Sequence, residues 1–225
     1  MKTLVKFIVL LITTSVFAQN TIERNIGEFT ELKVYDLIHV ELIKSDQNKV
    51  IISGDNTEDV VLKNTNGVLK IKMNLGEIFD GDKTHVKLYY TSVDTIDVNE
   101  GAVVKSDDTI EQFEIDLKAQ EGGTIEVPIQ VKYANIKSVT GGIITATGQA
   151  KKQDVSLSTG GVFMGSKVDS ETTEISIKAG GEGHVRASKL LDINIRAGGD
   201  VYIYGHPETV NESKALGGRI KRVDS

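Results

Sequence analysis

A chain of 225 residues without a single cysteine excludes disulfides, thiol nucleophiles and cysteine-ligated metals. Its formal net charge of −6 makes it a poor partner for nucleic acid, whose binding rests on Lys and Arg neutralising phosphates. Aromatic residues account for 5% and tryptophan is absent, so the interior must be filled mainly by Ile, Val and Leu.

Residues 1–18 read as a secretory signal and not as part of the fold. Lys2 and Lys6 give a positive start, residues 7–17 an apolar core, and Val16-Phe17-Ala18 a cleavage site before Gln19. The apolar run is too short to span a bilayer, and no other segment approaches the length required. The expectation is therefore one exported domain over 19–225, periplasmic, on the outer surface or secreted, with no transmembrane segment in the mature chain. No cysteine follows the apolar core, so a lipoprotein anchor is not expected. Loss of the two lysines takes the net charge from −6 to −8.

Strand signals without a fixed repeat come next. Residues 29–34, 38–42, 50–53, 60–62 and 68–73 alternate or run apolar, the last after the turn Asn64-Thr65-Asn66-Gly67. Residues 75–83 are loop-like, and 86–90 resume a strand. The end of a stacked β fold exposes unpaired strand edges that must be covered. The segment 21–90 is accordingly expected to form an irregular N-terminal β cap.

From residue 91 onward a repeat takes over, marked by adjacent glycines at Gly122–Gly123, Gly141–Gly142, Gly160–Gly161, Gly180–Gly181, Gly198–Gly199 and Gly217–Gly218. Successive second glycines lie 19, 19, 20, 18 and 19 positions apart. A period of this size indicates a solenoid, in which each repeat buries its apolar face only against its neighbours. Before the glycines, apolar residues recur two apart: Ile96/Val98, Ile115/Leu117, Ile136/Ser138, Val155/Leu157, Ile175/Ile177 and Ile193/Ile195. After them a second alternation begins at Val104, Ile125, Ile144, Phe163, Gly183, Val201 and Ile220. Strict alternation directs these side chains to one face, so rungs of about 19 residues should stack with like side chains in ladders. The glycines then mark corners, where Gly reaches φ > 0 and allows close stacking. In this register Val139, Ile143, Val162 and Met164 point outward and form a candidate apolar interface on two adjacent rungs.

Two stretches resemble a known family. The run FTELKVYDLIHVELIKSDQNKVIISGDN is similar to the opening of the putative auto-transporter adhesin head GIN domain, an exported bacterial family of undefined function. The ending YIYGHPETVNESKALGGRIKRV resembles that family's closing pattern, matched at Tyr204, Gly205, Pro207, Gly217 and Gly218. The resemblance implies a right-handed, single-stranded parallel β-helix. It carries over no catalytic motif.

Parallel β-helices include polysaccharide lyases and hydrolases, so paired carboxylates matter. Asp97 and Asp116 would stand about 5 Å apart if they faced each other on neighbouring rungs. Glu100 also points outward, and Asp107–Asp108 sit in a loop. The plainer reading is a solvated acidic face. Asp80-Gly81-Asp82 and the GGEGHV segment superficially resemble calcium loops, but neither carries a full oxygen-ligand pattern. His39, His85, His184 and His206 show no ligand spacing. The expected function is a non-enzymatic exported β-solenoid that serves as a binding, adhesive or structural scaffold at the cell envelope. Its partner would be an envelope protein, a polysaccharide or a second copy, with no cofactor and no metal. The alternative is a carbohydrate-active β-helix enzyme.

Overall fold

Period-two apolar patterning produces strands almost throughout the computed structural model, which describes residues 21–223. The fold is a β-solenoid of about 7 turns with rungs about 19 residues apart. The expected signal segment, 1–18, lies outside the described residues. Among the described residues no helix is long and apolar enough to cross a membrane.

Seven strands precede the first corner of the regular repeat: β1 (Ile22–Asn25), β2 (Glu31–Val34), β3 (His39–Lys44), β4 (Lys49–Gly54), β5 (Val60–Thr65), β6 (Val68–Met73) and β7 (Thr84–Tyr90). They do not stack in chain order. β6 and β7 pair in parallel with β2 and β3, so residues 68–90 form a rung outside the one built from 31–44. The remaining three run antiparallel: β5 along β6, β4 along β7 and β1 along β4. The N-terminal segment is thus two rungs plus an antiparallel edge that covers them, which is how the open strand edge is closed.

β8 (Thr95–Val98) and β9 (Val103–Ser106) dock in parallel on the other side of β2 and β3. From there the rungs follow chain order. β10 (Ile110–Ala119), β11 (Thr124–Val139), β12 (Ile143–Ser158) and β13 (Gly161–Ile177) are long strands that stack in sequence. The later rungs are split in two: β14 (Gly181–Arg186) and β15 (Leu190–Ala197), β16 (Asp200–Tyr204) and β17 (Thr209–Leu216), with β18 (Arg219–Arg222) last.

One inward ladder runs Ile96, Leu117, Ile136, Val155, Ile175, Ile193, and its neighbour runs Val98, Ala119, Ser138, Leu157, Ile177, Ile195. This corrects the sequence register at one rung, where Leu117/Ala119 and not Ile115/Leu117 occupy these positions. The cause lies at the corner. Gln120 N–H donates to the Val98 carbonyl and Gly101 N–H to the Glu121 carbonyl, which pins 120–122 onto 98–101. The two extra residues therefore fall earlier, around the bend at Asp107–Asp108. The second ladder, Val104–Ile125–Ile144–Phe163–Gly183–Val201–Ile220, stacks as the sequence register has it. Each Ile or Leu buried this way contributes roughly 1.5–3 kcal/mol. Ser138 is tolerated in its ladder because its hydroxyl donates to the Gly142 carbonyl at 2.5 Å and accepts from Val162 N–H at 3.2 Å.

At the C-terminal end the pattern breaks. Glu212 and Lys214 of β17 stand opposite Ile193 and Ile195, at positions that every earlier rung fills with an uncharged residue.

Candidate functional site

Residues between the inward positions form outward rows that cross the rungs at about 4.8 Å per step. One row runs Thr124, Ile143, Val162, Glu182, Asp200, Arg219; the next runs Thr145, Met164, His184, Tyr202, Lys221. Ile143 is 39% exposed and Met164 37%, and Val162 beside them is half-buried. The three form the apolar middle of a flat strip. Val139 also points outward, but it lies across the Thr140–Gly142 corner and pairs with Ser158, so it does not join them.

Towards the C-terminal rungs the strip becomes aromatic. His184 stacks on Tyr202 with ring centroids 4.5 Å apart and planes 9° apart, and Lys221 Nζ lies 5.4 Å from the Tyr202 centroid. Both His184 nitrogens are engaged, Nε2 with Glu182 Oε1 at 2.8 Å and Nδ1 with the Tyr204 hydroxyl at 3.0 Å. A two-point ion pair between Arg219 and Asp200 ends the neighbouring row, and the guanidinium holds the Asp200 carboxyl below the usual range. Because His184 and Tyr202 stack on each other along the solenoid axis, the strip presents mainly ring edges. It is therefore a ribbed flat surface and a poor stacking platform for a sugar. A separate exposed aromatic pair, Phe113 and Tyr133, has centroids 5.3 Å apart.

The glycine corners are structural. Gly122, Gly141, Gly160, Gly180, Gly198 and Gly217 all have positive φ. Their amides link successive corners, Gly122 N–H donating to Thr140, Gly141 to Thr159 and Gly160 to Gly180 carbonyls. Behind them Gly123, Gly142 and Gly161 lie against the backbone of the preceding rung. At the last three corners the second glycine, Gly181, Gly199 or Gly218, has positive φ as well.

The carboxylate pair expected of Asp97 and Asp116 does not form. With the register shifted, Asp97 faces Lys118 and Asp116 faces Thr95. Asp97 is buried, pairs with Lys33 at 3.0 Å and accepts from Asn99 and Gln120 at 3.0 and 3.1 Å. Asp116 pairs with Lys118 at 3.2 Å and accepts from Asn135 at 2.8 Å. Glu31 first, and then Asp97, raise the Lys33 ammonium well above its ordinary pKa. Glu100 sits at a corner beside Asp36, and burial plus that neighbouring carboxylate push its pKa up. Asp108 accepts from the Lys44 amide at 2.9 Å, and Asp80 accepts from Asn56 at 2.8 Å. Among the described residues no three His, Cys, Asp or Glu side chains are arranged to hold a metal ion.

Two recesses bear on the candidate residues. One, of about 710 Å³, crosses several rungs where the long strands bend, lined by Gln130, Gln149, Asp169, Arg186, Ser188 and His206. Arg186 Nε donates to the Ser166 carbonyl at 2.8 Å and lies 3.8 Å from Asp169. The other, of about 490 Å³, lies on the N-terminal rungs and contains His39 and His85. Sequence reasoning missed that these two meet, with ring centroids 5.4 Å apart. They are 46 residues apart in the chain, and only the out-of-order pairing of β3 with β7 brings them together.

Similar folds are known. A putative adhesin from Bacteroides fragilis superposes with a TM-score of 0.83 at 16% identity, covering 90% of this chain and 96% of that one. A putative adhesin from Parabacteroides merdae gives 0.70 at 15% identity, covering 91% and 95%. A structure from Parabacteroides distasonis described as a putative lipid binding protein gives 0.68 at 18% identity, covering 91% and 96%. At these identities the likeness is one of fold. No curated protein matches the chain. The family model described as putative auto-transporter adhesin, head GIN domain, matches residues 28–207, and the chain belongs to that family.

Proposed function

We propose that the chain is an exported binding or adhesive module without catalytic activity, and that it holds a protein partner on the flat strip around Ile143, Val162 and Met164. The observation that carries this reading is the strip itself. Apolar side chains lie exposed on adjacent rungs and run on into the stacked His184–Tyr202 pair, all on a backbone hydrogen-bonded on both sides. A rigid, flat, partly apolar face loses little entropy when another flat surface covers it. The adhesin description of the family, and of two relatives in fold, supports the same role.

The test is Val162→Lys, which places an ammonium in the middle of the strip. Wild-type protein should show concentration-dependent mass in sizing and light scattering, or be retained on envelope preparations. The variant should lose that behaviour with an unchanged melting temperature. A wild-type monomer at high concentration removes the version in which the partner is a second copy. Equal envelope retention by wild type and variant removes the strip as the contact surface.

A polysaccharide is the second candidate partner, favoured by the recess at the strand bend. Its polar lining repeats from rung to rung at Gln130, Gln149 and Asp169. Two carboxylates there face basic groups, Glu171 with Lys189 at 2.7 Å and Asp169 near Arg186. That arrangement favours holding a glycan over hydrolysing one.

A further inference from the structure

The four histidines differ in what their rings do. His184 has both nitrogens bonded, to Glu182 and Tyr204. His206 is exposed in the turn after β16 and has no hydrogen-bond partner among the described residues. His39 and His85 are cross-strand partners on adjacent parallel strands, both on the outward face. Neither ring of this pair hydrogen-bonds to another described residue; their one ring contact is with each other.

Two imidazole nitrogens bound at about 2.0–2.1 Å to one metal place their ring centroids roughly 5–6 Å apart. The observed separation is 5.4 Å. Asp107, in the bend after β9, lines the same recess, and its carboxylate has no partner among the described residues. Ser53 adds a hydroxyl to the lining. The nearby ammonium groups are already matched, Lys87 to Glu41 at 3.5 Å and Lys105 to Glu126 at 2.9 Å. Asp82 adds negative potential at His39.

We propose that His39 and His85 form a binding site for a divalent transition metal that favours imidazole, Zn²⁺, Ni²⁺ or Cu²⁺, with Asp107 swinging in as third ligand and water completing the shell. Two imidazoles and a carboxylate suit these ions and not Ca²⁺ or Mg²⁺, which take oxygen ligands. The site is not preassembled: the pair is fixed by the sheet, and the third ligand comes from the bend after β9. It lies on the same outward row as Ile143 and Val162, continued onto the N-terminal rungs through Thr124 and Val103, and its test does not depend on the proposed partner surface.

The test is calorimetric titration of the untagged protein with ZnCl₂, NiCl₂ and CuCl₂ near neutral pH. One equivalent should bind, with Cu²⁺ tightest. His85→Ala removes an exposed ligand and should weaken all three ions about tenfold or more, since even outer-shell losses cost 10–100-fold. Asp107→Asn should weaken them less, and His206→Ala should change nothing. Lowering the pH through the imidazole range should release the metal. His39 is half-buried, so His39→Ala is to be read only if its melting curve remains cooperative. NMR of the imidazole nitrogens gives a mutation-free check, with Zn²⁺ shifting His39 and His85 and leaving His184 unmoved. Absence of binding, equal binding by His85→Ala, or shifts confined to His206 would each overturn the site.

Discussion

At the corner formed by Thr140, Gly141 and Gly142, the two glycines serve different purposes. Thr140 and Gly141 both have left-handed φ, +49° and +73°, and a Cβ added to Gly141 meets nothing within 4 Å. A Cβ on Gly142 would lie 2.3 Å from the Ala119 carbonyl oxygen of the rung below. Gly141→Asn should therefore cost less than about 1 kcal/mol, because Asn tolerates the left-handed region. Gly142→Ala must displace backbone and should cost about 3 kcal/mol or more. Urea unfolding midpoints of the two variants decide the point; equal losses would mean that close approach is not the second glycine's role. The doublets were legible in the sequence because they recur, whereas the separate duties of their members depend on distances that sequence does not carry. The His39–His85 pair was illegible for a stronger reason. Cross-strand neighbours can be read from spacing only when rungs stack in chain order, and β2, β3, β6 and β7 do not.

At the scale of the strand, the ladders were read correctly except at one step. Residues 96–98 and 136–195 fall in the order their alternation implies. The exception at Leu117 arose because alternation fixes a side chain's face but leaves its register free to slip by two, which keeps the face unchanged. The corner hydrogen bonds settle it. The 20-residue step between Gly161 and Gly181 has a local cause of the same kind, a register shift after Met164 where β13 carries one more residue than β12. Leu157 tests the ladder directly. It is fully buried, with Ser138 on one side and Ile177 on the other. Leu157→Ala should cost about 2–5 kcal/mol, read from chemical denaturation, and a loss below 1 kcal/mol would mean that the stack does not depend on this rung's packing.

For the whole molecule, the solenoid class was legible, and so was the presence of a β cap, but not how that cap is built. Neither the antiparallel run of β1, β4 and β5 nor the displacement of β6 and β7 leaves a periodic trace. The candidate surface was legible in part. Ile143, Val162 and Met164 were identifiable as outward apolar residues, while the continuation into His184 and Tyr202 was hidden because a histidine and a tyrosine on separate rungs look unrelated in one dimension. The far end of the stack has a consequence of its own. A pile of like rungs has no intrinsic length, and a final strand with apolar inward residues would serve as a seed onto which further strands grow, as in amyloid. β17 carries charges at the ladder positions where such growth would begin. Any strand laid over it would dehydrate Glu212 and Lys214 above the Ile193 and Ile195 ladders, at a cost well above what one more rung returns. Glu212→Ile combined with Lys214→Ile should thus convert a discrete particle into one that elongates, with filaments visible by electron microscopy and a lag phase shortened by preformed fragments. A double variant that stays as discrete as the wild type would place the stop in the backbone of β17 and β18, independent of their charges.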